Sequence, residues 1–178
     1  MATDRRAQFV KKWRRRAEKT ADPFDRFFSA WIALVVAAQR SRDCFGPLAE
    51  DDTDRKRVED YSSAKKTAIL SAVGAHKVEM EWIAERRGMR YGDALVDTGN
   101  RDLRSTFSRL SRYYTEDEPM PEDERVEAIA QLLNKIRNNV FHGIKVYDDK
   151  DDIALLEKVN PVLLAILRET EESETEAG

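Results

Sequence analysis

Between Pro121 and Gly143 the chain carries no glycine or proline, and its apolar residues keep a helical rhythm. Val126, Ile129, Leu133, Ile136 and Val140 step by 3, 4, 3 and 4. At about 100° per residue this spacing lays them along one side of a helix, the side that must find a core. Glu122, Asp123 and Glu124 fall in the first turn, where carboxylates suit the positive end of the helix dipole. The same scarcity of helix breakers holds over most of the chain. Seven Gly and five Pro in 178 residues, with 37% charged residues, favour helices over a sheet of short strands. The expected fold class is all-α, a bundle of five or six helices.

Signals along the chain place the other helices. Residues 5 to 20 read as a basic helix with Phe9, Val10 and Trp13 as its apolar edge. Asp22-Pro23 is a start signal, an N-cap followed by proline at the first helical position. The helix that follows, Phe24 to about Arg42, is apolar around more than half its circumference and is expected to be central to the core. Gly46-Pro47 closes it, and Glu50 to Asp54 reads as an acidic loop. A helical pattern then runs from about Arg55 to Arg87, with Gly74 as the expected break, and Gly88 ends it. Met89 to Asn100 reads as a loop. Leu103, Phe107, Leu110 and Tyr114 mark a short helix, and Thr115 to Pro121 a turn. The last helix is expected from about Asp151 to Arg168, kinked or split at Pro161, with disorder beyond Glu169. By this reading residues 1–22 form a basic N-terminal helix or arm, 23–168 the helical domain and 169–178 a disordered acidic tail.

Composition narrows the function classes. The net charge of −3 hides an asymmetry between the acidic tail and a basic opening of Arg5, Arg6, Lys11, Lys12, Arg14, Arg15, Arg16 and Lys19. Such an opening is either a solvated helix face or a contact for nucleic acid or an acidic membrane surface. The single cysteine, Cys44, can form no internal disulfide and no cysteine-rich metal site. Cys44 also has no sequence neighbours that would activate its thiol. The N-terminus is charged with no apolar run behind it, and the longest apolar run, Trp31 to Ala38, is too short for a bilayer. A soluble, cytoplasmic protein without a membrane partner is the expectation. His76 lies in an alanine-rich stretch without metal-ligand spacing, and Trp82 and Tyr113-Tyr114 sit at helical spacing suited to a core.

The stripe ends in Arg137-Asn138-Asn139-Val140-Phe141-His142-Gly143, which concentrates chemistry at one helix end. Asn138 and His142 fall four residues apart, nearly opposite the apolar stripe, so they meet water, a ligand or a second subunit. His142 can give or take protons near neutrality, Arg137 forks onto phosphate oxygens, and Asn138 can orient the imidazole or a substrate oxygen. Gly143 permits a sharp turn. Arginine with histidine suits phosphodiester cleavage by internal 2′-hydroxyl attack, which needs a base, an acid and positive charge for the pentavalent intermediate. One histidine cannot readily be base and acid at once, whereas two copies across a twofold axis could divide the roles. The alternative is that His142 only ends a helix, where its charge favours the dipole.

The motif Arg137–Gly143 resembles the signature of the HEPN superfamily: an arginine, four to six residues, then histidine, with a polar residue directly after the arginine. Phe27-Phe28-Ser29-Ala30-Trp31-Ile32-Ala33-Leu34 is similar to the aromatic-rich early helix of bacterial and archaeal members, and Asp149 to Arg168 to their closing helix. The resemblance spans Pro23 to Arg168. It implies a helical bundle that dimerises to bring two motifs into one cleft. Many members are metal-independent endoribonucleases of toxin–antitoxin, phage-defence or CRISPR-associated settings that leave a 2′,3′-cyclic phosphate. Others have lost activity and bind RNA, nucleotides or proteins. Carried over, Arg137 and His142 are catalytic, Asn138 assists, and neither a cofactor nor a metal is needed. Arg14, Arg15, Arg16 and Lys145 are the candidate RNA contacts. In toxins paired with a nucleotidyltransferase antitoxin, a modified tyrosine follows the histidine by two residues. That position here is Ile144, and the next tyrosine is Tyr147, so the resemblance implies a stand-alone protein or one with a different partner.

Overall fold

The computed structural model of the chain describes residues 5–43, 53–85, 101–141 and 150–176. These residues are all-helical, in eight segments. They are α1 (Arg5–Lys19), α2 (Pro23–Asp43), α3 (Asp54–Ala64), α4 (Lys66–Ala75), α5 (Lys77–Glu85), α6 (Arg101–Thr115), α7 (Glu122–Phe141) and α8 (Lys150–Glu176). None is long and apolar enough to cross a membrane. Cys44, His142 and Lys145 lie outside the described residues, as do the expected loop 89–100 and all of the loop expected over 144–150 except Lys150, which opens α8.

Local chemistry accounts for the first two helices. Asp22 caps α2 as its sequence implies: its Oδ1 accepts from the Asp25 amide at 2.8 Å, and Pro23 occupies the first helical position. Arg26 then donates through Nε and Nη2 to the Thr20 carbonyl at 2.9 and 2.7 Å, tying the exit of α1 to the entry of α2. α1 is therefore part of the bundle: Val10 and Ala17 are buried and α1 packs along α2.

The core runs through α2, α7 and α8. Phe27, Leu34, Ile129, Ile136, Leu155, Leu156, Leu163, Ile166 and Leu167 are all essentially inaccessible. The α7 stripe behaves as its spacing requires, with Val126, Ile129, Leu133 and Ile136 buried and Val140 packed against the core. The centre is shared between α2 and α8, the latter packing against α1, α2, α4 and α5.

The long pattern after residue 54 breaks twice, at Lys65 and His76, and not at Gly74. At both residues the backbone leaves helical geometry (φ −105°, ψ 24° and φ −114°, ψ 35°) while its amide still bonds back, to Tyr61 O and Val73 O. These interruptions let three short helices wrap a core that one straight rod could touch only along a line. Gly74 stays helical inside α4 with open space where a Cβ would stand. Splitting at Lys65 and His76 raises the number of segments above the five or six expected.

α8 also departs from expectation. It continues as one helix through Pro161, and beyond Glu169 as far as Glu176. Less than one turn before its middle, Asn160 is fully buried and its Nδ2 donates to the Pro23 carbonyl at 2.9 Å, anchoring α8 on the start of α2. The acidic end is ordered because α1 supplies the countercharge. Arg14 donates to both carboxylate oxygens of Glu171 at 3.2 and 3.1 Å and also to Glu18, which in turn accepts from Arg168. Burial opposes the charged form of Glu18, but the bond from Arg168 and the Arg14 charge outweigh it and hold its carboxyl below the ordinary value. Thr170 is buried with its hydroxyl donating to the Ile166 carbonyl, and Lys65 reaches Ser173 at 3.3 Å. Deleting residues 170–178 should therefore lower unfolding stability by about 1–3 kcal/mol, the range for a charge-assisted bond and a buried group lost together. Urea unfolding of the truncated chain checks this, since a disordered tail would cost nothing.

Candidate functional site

α7 delivers Arg137 and Asn138 in its last turns, directly after Ile136 at the end of the buried Ile129–Ile136 stripe. Arg137 Nη1 donates to Asn138 Oδ1 at 2.8 Å. That bond fixes the orientation of the amide, since only the oxygen can accept, and leaves the Asn138 Nδ2 as the donor turned away from the guanidinium. Arg137 Nη2 stands 4.0 Å from Asp54 Oδ2 at the first residue of α3, and its Nε is buried with no hydrogen-bond partner. Its side chain is 29% exposed. The guanidinium is thus positioned by two neighbours and still accessible from one side.

An aromatic pair flanks it. The Arg137 guanidinium lies 4.8 Å from the Phe141 ring centre, and Phe141 packs on Phe28 of α2 at 5.0 Å with the planes 33° apart. Both phenylalanines remain well exposed, at 38% and 41%. On its other side Asn138 joins Gln131, Asn134 and Lys135 of α7 and Arg55 of α3 around a small depression of about 40 Å³. Asn134 is buried, yet its Nδ2 has no partner, and the same holds for Gln131 Oε1.

Of the residues expected to act, Arg137 and Asn138 bond to one another, and Asn138 is half-buried. Asn139, their neighbour, is buried. Among the basic candidates, Arg15 and Arg16 are exposed, and Arg16 covers the Trp13 ring at 5.0 Å. Arg14 instead turns to Glu171 and Glu18, so its charge is committed within the fold. His76 forms the break between α4 and α5, with Nδ1 3.5 Å from Glu79. Tyr114 is buried, and burial raises its hydroxyl far above the ordinary range, despite the Arg125 charge. Among the described residues no three His, Cys, Asp or Glu side chains are grouped to hold a metal.

Three members of the site were missed in the sequence. Asp54 and Phe28 come from other helices, and nothing local marks them. Asn134 carries a usable signal, since Gln131, Asn134, Lys135 and Asn138 recur at helical spacing on one face.

The described residues thus define a class: an all-helical protein with a polar, cationic cluster where α7 ends against α3, beside an exposed aromatic pair. No protein-family model, curated protein or solved structure matches the chain.

Proposed function

We propose that the protein is a homodimeric endoribonuclease of the HEPN type. On this reading Arg137 stabilises the pentavalent phosphorus, Asn138 positions a substrate oxygen or the imidazole, and His142 transfers protons. The observation that carries it is the Arg137–Asn138 pair at the end of α7, held at 2.8 Å with one side of the guanidinium open. Two donors fixed beside one another suit a phosphate whose oxygens gain charge as the 2′-hydroxyl attacks. The leaving 5′-oxygen takes a proton as the P–O bond breaks, and the product keeps a 2′,3′-cyclic phosphate.

Dimerisation supplies the second proton-transfer group, and the exposed Phe28–Phe141 pair beside Arg137 is the surface that supports it. Apolar rings exposed together are more economically covered by a twin copy than by water. Phe28→Asp should convert the dimer to monomer in sedimentation velocity and abolish cleavage with it. A variant that remains dimeric, or a monomer that cleaves at full rate, would contradict the shared cleft. A defence role, as toxin or antiviral nuclease, with an antitoxin or other partner, follows from the resemblance alone.

A second reading is an inactive adaptor that binds RNA, nucleotides or protein. The proximity of Asp54 to Arg137 favours it, because a carboxylate at 4.0 Å already offsets part of the charge that catalysis needs. RNA binding that survives His142→Ala with no cleavage in either protein would select the adaptor.

A further inference from the structure

α1 carries eight cations, Arg5, Arg6, Lys11, Lys12, Arg14, Arg15, Arg16 and Lys19, against the single acid Glu18, in a chain whose net charge is −3. Arg14 is consumed by Glu171 and Glu18. Lys11, Lys12, Arg15 and Lys19 are exposed and make no ion pair among the described residues. With Gln8 and Arg16 they line a shallow groove along α1, recurring every three to four residues and hence about 5–6 Å apart on one face.

That row runs into a cavity. Between α1, α2, α3 and α8 lies a space of about 420 Å³, and Lys11 and Arg15 belong to both the groove and its wall. Its floor is apolar, made of Val10, Ala37 and the buried Tyr61. Arg40 and Arg168 add positive charge, while Glu171 and Glu172 bring carboxylates to one side. A cavity of this size suits a small ligand. Its chemistry is mixed in a specific way, with an apolar floor for a flat ring, cations for phosphate, and acceptors for amino or hydroxyl hydrogens.

We infer that this cavity and the α1 row form a binding site for single-stranded RNA, with one nucleotide seated in the cavity and the flanking phosphates along Lys11, Lys12, Arg15 and Lys19. An acidic membrane fits less well. Of the apolar residues of α1, Val10 and Ala17 are buried in the bundle, and the exposed Phe9, packed on Trp13 at 5.9 Å, is a single ring and no continuous apolar face for a bilayer. The site is separate from Arg137 and stands whether or not the chain cleaves RNA. It places the cationic contacts on Lys11 and Arg15 and removes Arg14 from among them.

The experiment is fluorescence anisotropy of the full chain with a labelled single-stranded RNA 12-mer across a salt series. Lys11→Gln/Arg15→Gln should weaken binding by about tenfold or more. It should also reduce the slope of log affinity against log salt by about 1.4, at ~0.7 per phosphate contact on a single strand. Ala7→Trp, at the cavity wall, should leave the row of charges intact but abolish competition by free AMP, distinguishing a seated nucleotide from contact with the strand alone. Lys56→Gln, at an exposed position of α3, serves as the control and should change nothing, and thermal melts confirm that each variant folds. Unchanged affinity in the double variant, an equal loss in the control, or binding to phosphatidylserine vesicles but not to RNA would overturn the site. AMP competition that persists in Ala7→Trp would overturn the seat in the cavity. Anisotropy reads binding whether or not the parent cleaves RNA, so a loss of affinity in the double variant supports this site even where the catalytic reading fails.

Discussion

Replacing Arg137 with alanine should lower RNA cleavage by about 10²–10³-fold, the usual effect of removing one donor that stabilises developing charge. The fold should barely respond. Arg137 is partly exposed, its approach to Asp54 is long, and its stacking on Phe141 is worth roughly 0.5–1 kcal/mol. Arg137→Lys keeps the charge but loses the planar fork that holds Asn138 Oδ1 and leaves a second nitrogen for phosphate. It should therefore recover little of the lost rate. Measured single-turnover rates for the three proteins, with melting temperatures alongside, check this. A lysine variant as active as the parent would mean that only net charge matters at this position.

Phe27→Ala should destabilise the protein by about 3–5 kcal/mol, a large share of the roughly 5–15 kcal/mol that holds a typical domain folded. Phe27 has no exposed surface and stacks on Trp31 with ring centres 6.3 Å apart and planes at 20°. α2 is capped at its start by Asp22 and packed against α1, α3 and α8, so the space left by the ring cannot easily collapse. Its neighbour Phe28 offers an internal comparison. At 41% exposed, Phe28→Ala should cost under about 1 kcal/mol in the monomer. Chemical denaturation of the two variants at low protein concentration checks the contrast. Similar costs would mean that α2 presents a different face to the core.

These residues also show how far the sequence carries. Asp22-Pro23 and the Val126–Val140 stripe read directly because the signals are local: a cap bonds within three residues, and a stripe needs only helical periodicity. The breaks at Lys65 and His76 did not read, because each residue is compatible with a helix and yields there only to the packing of α4 and α5 on α8. The end of α8 failed for a related reason. A run such as Glu171-Glu172-Ser173-Glu174 looks unsuited to order until Arg14, 157 residues away in sequence from Glu171, neutralises it. In the candidate site, Arg137 and Asn138 were legible as neighbours on one helix. Asp54 and Phe28, which position and flank them, are brought there by α3 and α2.

On the proposed reading Arg137 and His142 cleave RNA without a metal. Its most direct test is incubation of the purified chain and of His142→Ala with RNA in excess EDTA, followed by analysis of the product ends. The expected result is cleavage by the parent, fragments ending in 2′,3′-cyclic phosphate, and loss of at least about 10²-fold in the variant, the lower range for removing an acid–base group. Intact RNA across a range of substrates and pH, or equal cleavage by His142→Ala, would contradict it.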